Sequence, residues 1–333
     1  MPASLSLRAL VILTGAFIAA VLVFAGVYTE TQHNPVPHQL RVGVVGPEDA
    51  VLKVKAGLAL SAPGYFKVYT YSNEAGLKSA IKDRKVYGGY IQKTKKSGLL
   101  VTAGAAGEAP QLALELVGQK LAAAVPEKLT VEDLAPLPTG DSHGLSSYTY
   151  QYGVLVPSFV FGVLIFMFAH GLSLAWRLGV SAVYSLGAGI VGALTVDQII
   201  GALPHHFVAL AALGALYAAT AVLVTYGLAR VLGYAGLALS GLLLILVGNS
   251  TGGGSINQEF LPDFFRSIGQ ALPNGAFIRS VRNTEYFNGA NTHRAILVVA
   301  LWAVGGLALV LLKEKFPGML TRSKKGLEPK PSA

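Results

Sequence analysis

Six stretches of this chain are apolar and almost free of charge: residues 9–27, 154–174, 180–203, 207–229, 232–247 and 295–312. A bilayer core about 30 Å thick is crossed by a helix of roughly 20 apolar residues. Inside it every backbone polar group must be paired internally, which leaves helices or closed barrels. Runs of this length predict helices. Composition agrees, since 53% of the 333 residues are hydrophobic and 13% are charged, against roughly 25% charge in soluble domains. The net charge of +9 would suit nucleic acid if it were spread over a surface. Most of the lysines lie in the polar stretch 28–145, but many of the other Lys and Arg flank the apolar runs and fill the tail, which is an orientation signal, so no nucleic-acid partner is expected. With no cysteine in the chain, disulfides and thiolate metal sites are excluded.

The expected fold is a polytopic α-helical membrane protein with six transmembrane helices and a small extracytoplasmic α/β domain between the first and second spans. Residues 1–28 form the N-terminal anchor. A cleaved signal peptide competes with that reading, but nineteen uncharged residues exceed the usual apolar region of a signal, about 7–15 residues. Residues 29–150 form the α/β domain and its linker. Strands are expected at 40–45, 66–71, 86–91 and 99–102. Helices are expected at 50–62, 73–85 (with Asn73 as N-cap) and 107–125. The Pro-, Gly- and Ser-rich stretch 126–147 reads as a linker. Residues 151–312 form a five-helix membrane domain, with Pro157 breaking its first run early, and 313–333 a basic tail.

Orientation follows from the short loops. With the N-terminus cytoplasmic, Arg177, Arg230 and the tail (Lys313, Lys315, Arg322, Lys324, Lys325) are inside. The outer turn Pro204-His205-His206 carries no Lys or Arg. This obeys the positive-inside rule and predicts a multi-pass plasma-membrane protein with both termini cytoplasmic and residues 29–150 outside.

The most unusual stretch is 242–289. It begins as a membrane helix, breaks at Asn249-Ser250-Thr251 and Gly252, Gly253 and Gly254, and continues polar and apolar by turns. Phe260, Phe264, Ile268 and Leu272, with Leu261 and Phe265, make one apolar helical face. Pro262 suits a first turn, Pro273 ends the helix, and Asn274-Gly275 reads as a turn. An outer re-entrant element at about 248–282 and an ordinary interfacial loop both fit. Arg279, Arg282 and Glu285 stand just outside the bilayer, where a solvated rim with Arg–Glu contacts is favoured over pairing with lipid headgroups or an anionic substrate. Asp197 and His170 are the intramembrane polar residues. Asp197 lies near an outer end where water can reach it, and His170 is expected to hydrogen-bond a neighbouring helix. His205-His206 lack a third ligand nearby in sequence. Gly15, Gly187, Gly189 and Gly214 allow close helix packing. No phosphate loop, HExxH or GxSxG motif occurs, so catalysis, a catalytic residue and a bound metal are not expected.

Two segments carry a family resemblance. One is LRVGVVGPEDA followed by FKVYTYSNEAGLKSAIKDRKVYGGYI. The other is GNSTGGGSINQEFLPDFFRSIGQALPNGAFIRSVRNTEYFNG, with Leu261-Pro262, Phe264-Phe265, Leu272-Pro273, Arg282 and Gly289 at matching places. The chain resembles the ABC-2 type transporter permeases, in the branch of phage-infection-protein-like membrane proteins. A proline of that pattern between Gly254 and Leu261 is replaced by Asn257-Gln258. The resemblance implies a permease subunit of an exporter, itself not an enzyme and without a cofactor of its own. It also implies a separate cytoplasmic ATPase subunit that binds ATP, a homodimer or related permease as partner, and contact with membrane lipids. The segment 248–282 would form the gate. The ATPase-coupling element would fall at the short turn with Trp176 and Arg177. A non-transporting scaffold or receptor whose ectodomain binds an envelope component is the alternative.

Overall fold

The structure is a computed structural model in which residues 6–33, 35–94, 97–107, 110–115, 118 and 128–316 are described. The first helix, α1 (Leu7–Gln32), is 26 residues long, or roughly 39 Å at 1.5 Å per residue. The chain then folds a globular domain of five strands. These are β1 (Leu40–Val45), β2 (Phe66–Thr70), β3 (Gly88–Thr94), β4 (Ser97–Thr102) and β5 (Lys128–Asp133), with α2 (Glu48–Ser61) and α3 (Glu74–Lys82) between the first three. Strand order is β2-β1-β3-β4-β5. Only the β3–β4 pair is antiparallel, as expected for strands joined by a tight hairpin while the others need crossovers. Asn73 caps α3 as expected, its Oδ1 accepting from the Gly76 N–H at 2.8 Å. Leu40, Val42, Leu77, Ile81 and Val101 form the domain's main core.

The 126–147 segment is not a plain linker, because its residues 128–133 pair with β4 in parallel register from Lys128 to Asp133. Of the helix expected over 107–125, residues 110–115 and 118 are helical and Gly107 is not, while 108–109, 116–117 and 119–125 lie outside the described residues, as do Arg322, Lys324 and Lys325.

The rest is helical: α4 (Ser146–Phe168), α5 (Leu174–Ala193), α6 (Phe207–Leu232), α7 (Tyr234–Gly241), α8 (Asp263–Ala271), α9 (Pro273–Tyr286) and α10 (Thr292–Lys315). Helix α5 runs on through a π segment, Leu194–Ile199, and α7 through Leu242–Val247 to Gly248–Thr251. Counting these extensions, five of the helices among the described residues are long and apolar enough to cross a membrane. The protein is thus a multi-pass helical membrane protein with a small α/β domain. Pro157 lies inside α4 without ending it, a tolerance common where neighbouring helices shield the freed carbonyl.

Helix α6 is the central post. Its Leu210, Tyr217, Ala221 and Val224 pack with Leu155, Leu244, Phe277 and Val299 in one core. Close approach falls where small residues were expected at two of the four positions. A Cβ on Gly189 would run into the backbone of α6 at Ala211 and Ala215, and one on Gly214 into the Tyr150 hydroxyl, whereas Gly15 and Gly187 face open space. Val183, Leu186, Val191, Leu297, Leu301 and Val304 turn outward.

Candidate functional site

The site is built where α7 comes apart. Its widened π turn frees carbonyls that side chains from elsewhere then meet. The Asn274 Nδ2 donates to Leu244 O at 2.8 Å and the Tyr28 hydroxyl to Ile245 O at 3.4 Å. Asn249 in turn donates to the Tyr28 and Tyr148 hydroxyls at 3.0 and 3.1 Å. After Thr251 the glycines turn the chain. Gly253 has φ +78°, a left-handed conformation natural to glycine, and a Cβ there would lie 2.6 Å from Gln258 Cγ. Gln258 folds back so that its Nε2 donates to Thr251 O and Gly252 O at 3.3 and 3.4 Å. Its Oε1 accepts from Arg279 Nη1 at 2.6 Å.

Helix α9 then enters the end of the bundle. Phe277 stacks on Tyr217 with ring centroids 4.4 Å apart and planes 20° from parallel. Gln151 Nε2 donates to the Tyr217 hydroxyl at 2.6 Å. Trp302 Nε1 donates to Ala271 O at 2.8 Å, tying the end of α8 to α10.

The globular domain is docked on this same segment. The Tyr87 hydroxyl donates to the Glu259 carboxylate. Asn257 Nδ2 donates to Ala106 O at 2.8 Å, Arg266 Nη1 to His38 O at 2.9 Å, and Asn291 Nδ2 to Asp83 O at 2.7 Å. Phe260 and Phe287 belong to the domain's own core. Burial, and then the Glu259 charge, pushes the Tyr87 phenol well above the ordinary tyrosine range. Burial likewise raises Tyr286, whose hydroxyl donates to Asp141 Oδ2 at 3.0 Å. Burial lowers Arg279 and Arg282, though a guanidinium stays charged.

Several expectations change here. Pro262 precedes α8 and Leu261 is buried, but Phe264 is 69% exposed, and Phe260 sits in the domain core instead of on the helix. Leu272 is extended (φ −88°, ψ 150°) and Pro273 opens α9 as well as following α8, so Asn274-Gly275 is a first helical turn. Proline suits that position because the missing N–H would be unpaired there anyway, and it holds the residue before it extended.

Of the supposed solvated rim, Arg282 and Glu285 are buried and Arg279 is half-buried. Arg282 is 5% exposed, and the Glu285 carboxylate accepts from the His205 backbone N–H and contacts His205 Nδ1, both at 2.8 Å, with His206 Nδ1 at 3.6 Å. Asp197 is also buried instead of meeting water. It lies in the π segment and accepts from Gln198 Nε2 at 2.9 Å. His170 is exposed in the turn after α4, with its ring 6.2 Å from Phe166 and, among the described residues, no hydrogen bond to a neighbouring helix. At that far end Trp176 and Arg177, expected in a turn, lie in the first turn of α5, which Ser173 caps; Trp176 is 68% exposed, while Arg177 donates to Leu172 O and the Tyr226 hydroxyl, both at 2.8 Å.

Tyr87 and Glu259 were not singled out from sequence, and Asn257, Gln258 and Asn274 were read only as a replaced proline and a turn. Amides in an otherwise apolar stretch are the signal that could have marked those three as bonding groups, since such groups need partners once buried. No family model, curated protein or solved structure matches the chain.

Proposed function

We propose that this chain is the membrane-spanning permease subunit of an ABC-2 type exporter, powered by a separate cytoplasmic ATPase subunit. In this reading α1 completes six spans, both termini are cytoplasmic, and the globular domain is extracytoplasmic. Two copies, or this chain and a related permease, form the pathway. The observation that carries the proposal is the broken α7. Its continuation, α9, inserts against α6 while its loop is hydrogen-bonded to the globular domain. Such a joint links a membrane helix, an outer element and a domain, which is what a gate needs. Charge supports the orientation. Arg177, Arg230 and Lys315 lie at the end away from the domain, where Arg230 pairs with Glu314 at 2.5 Å.

A second reading has its own observation. Between α4 and α5 only residues 169–173 are available, a short turn where an ATPase-coupling element would dock. That favours a non-transporting scaffold or receptor whose domain binds an envelope component. The test is purification of the tagged full chain from its native membrane. Co-purification of a Walker-type ATPase, abolished by Trp176→Ala with Arg177→Ala, is expected of the permease. If no ATPase accompanies the chain and its deletion leaves export unaltered, the permease reading is lost and the receptor reading stands.

A further inference from the structure

A cleft of about 180 Å³ opens between the globular domain and the glycine loop. Arg282 stands in its wall although the residue is 5% exposed. Its guanidinium bonds are long, 3.5 Å to Ala106 O and 3.3 Å to Gly144 O, and both go to neutral carbonyls. Among the described residues no carboxylate forms an ion pair with it. Asp141 is the acid that could, but its Oδ1 already accepts from the Ser146 N–H at 2.9 Å and its Oδ2 from Tyr286 at 3.0 Å. Arg84, which itself lies over the Phe287 ring at 4.5 Å, adds like charge on the domain side. Asp141 therefore acts on Arg282 only through space, and two long bonds to neutral carbonyls leave the buried guanidinium without the direct ion pair such groups normally have.

The rest of the lining suits a ligand that supplies one. Ser255 and His143 place polar groups at the mouth, while Leu112 and Ile256 give it an apolar side. The space would hold several waters or one compact anionic group. Arginine's planar set of donors matches an oxyanion with two oxygens.

We propose that this cleft binds one phosphate-type oxyanion, with Arg282 as its counter-charge. A phospholipid head group and a soluble phosphate share that chemistry. The site does not depend on export, because a chain without an ATPase partner would bind the same anion.

The test uses the purified full chain. In detergent, inorganic phosphate is titrated at constant ionic strength with chloride as the control, and the thermal midpoint is read. In parallel, nanodiscs of phosphatidylcholine alone are compared with nanodiscs containing phosphatidylglycerol. A saturable rise with phosphate and nothing further from phosphatidylglycerol identifies a soluble ligand. A rise with phosphatidylglycerol and none with phosphate identifies a head group. Arg282→Gln should abolish either response, and Arg282→Lys should weaken half-saturation on the order of tenfold, the loss expected when one charged hydrogen bond goes. Leu112→Trp keeps the arginine and crowds the mouth from an exposed position, so it decides the matter if Arg282→Gln fails to fold. The proposal is overturned by no response to either probe, or by an undiminished response in Arg282→Gln or Leu112→Trp.

Discussion

The tightest test of the junction is Gly275→Ala. Gly275 lies in the first turn of α9, where the helix meets both α8 and the loop that follows α7. An added Cβ would lie 2.6 Å from Gln258 Nε2, 2.7 Å from Gly269 O and 2.9 Å from Gly252 O. Ordinary contacts of a methyl carbon are about 3.5 Å or longer, so three neighbours would each have to move by more than half an ångström. Two of them are backbone carbonyls on different segments, and no rotamer change relieves that. Overpacking of this kind costs about 1–3 kcal/mol. Displacing Gln258 also loosens its bonds to Thr251 O and Gly252 O, each contributing roughly 1 kcal/mol. The helix-propensity gain from replacing glycine, about 1 kcal/mol at most, does not offset this.

Gly57→Ala is the internal control. It lies on an exposed face of α2 with nothing within 4 Å of the added carbon, so it should stabilise by up to about 1 kcal/mol. The assay is thermal unfolding of the full chain, with hydrogen exchange across residues 248–282 as the local readout. Gly275→Ala should lower the midpoint by a few degrees and speed exchange in that segment. Gly57→Ala should do neither. A Gly275→Ala protein as stable as its parent, with unchanged exchange, would refute the close approach of the three segments.

Two further outcomes are expected. Tyr87→Phe leaves the Glu259 carboxylate without its phenol donor, at about 1–3 kcal/mol. It should also flatten the alkaline limb of the stability curve. The folded phenol's pKa is raised, so its contribution is complete below the unfolded value near pH 10 and falls as pH rises further, by about 1.4 kcal/mol per unit. Denaturation from pH 9 to 11 measures this, and a parent and mutant with the same alkaline slope would remove Tyr87 from the account. Asn274→Ala strips the donor from Leu244 O, and should cost about 1–3 kcal/mol and expose the 249–262 loop to protease. Unchanged cleavage would mean that the π turn does not depend on this bond.

Periodicity and length made the membrane helices legible, because an uncharged run has few other places to go. The strand Leu40–Val45 and the Asn73 cap were equally local signals. Strand β5 escaped because Lys128-Leu129-Thr130-Val131-Glu132-Asp133 is short and mostly polar, and only its pairing with β4 makes it a strand. The helix α9 escaped for the opposite reason. Pro273-Asn274-Gly275 is strong turn chemistry, overridden by burial of Phe277 against Tyr217. The polar partners were out of reach altogether. Glu285 meets a histidine 80 positions away, and Asn257 a carbonyl 151 positions away. No spacing rule encodes such pairs.

The bonds around the break impose a condition on how this end of the molecule can move. In an apolar surrounding a stranded backbone carbonyl is costly. Here the acceptors freed by α7 are met from three separate places: Tyr28 on α1, Gln258 on the loop and Asn274 on α9. Gln258 is itself held by Arg279, and the residues on either side of it, Asn257 and Glu259, are held by the globular domain at Ala106 and Tyr87. Shifting one of these elements alone would strand an acceptor that the others cannot reach. A rearrangement of the junction must therefore carry α1, α9 and the globular domain together, or exchange the whole set of partners at once. Packed polar networks of this kind favour discrete arrangements over gradual deformation. The amides at 249, 257, 258 and 274, which no membrane anchor needs, are what make this end of the bundle behave as a single joint.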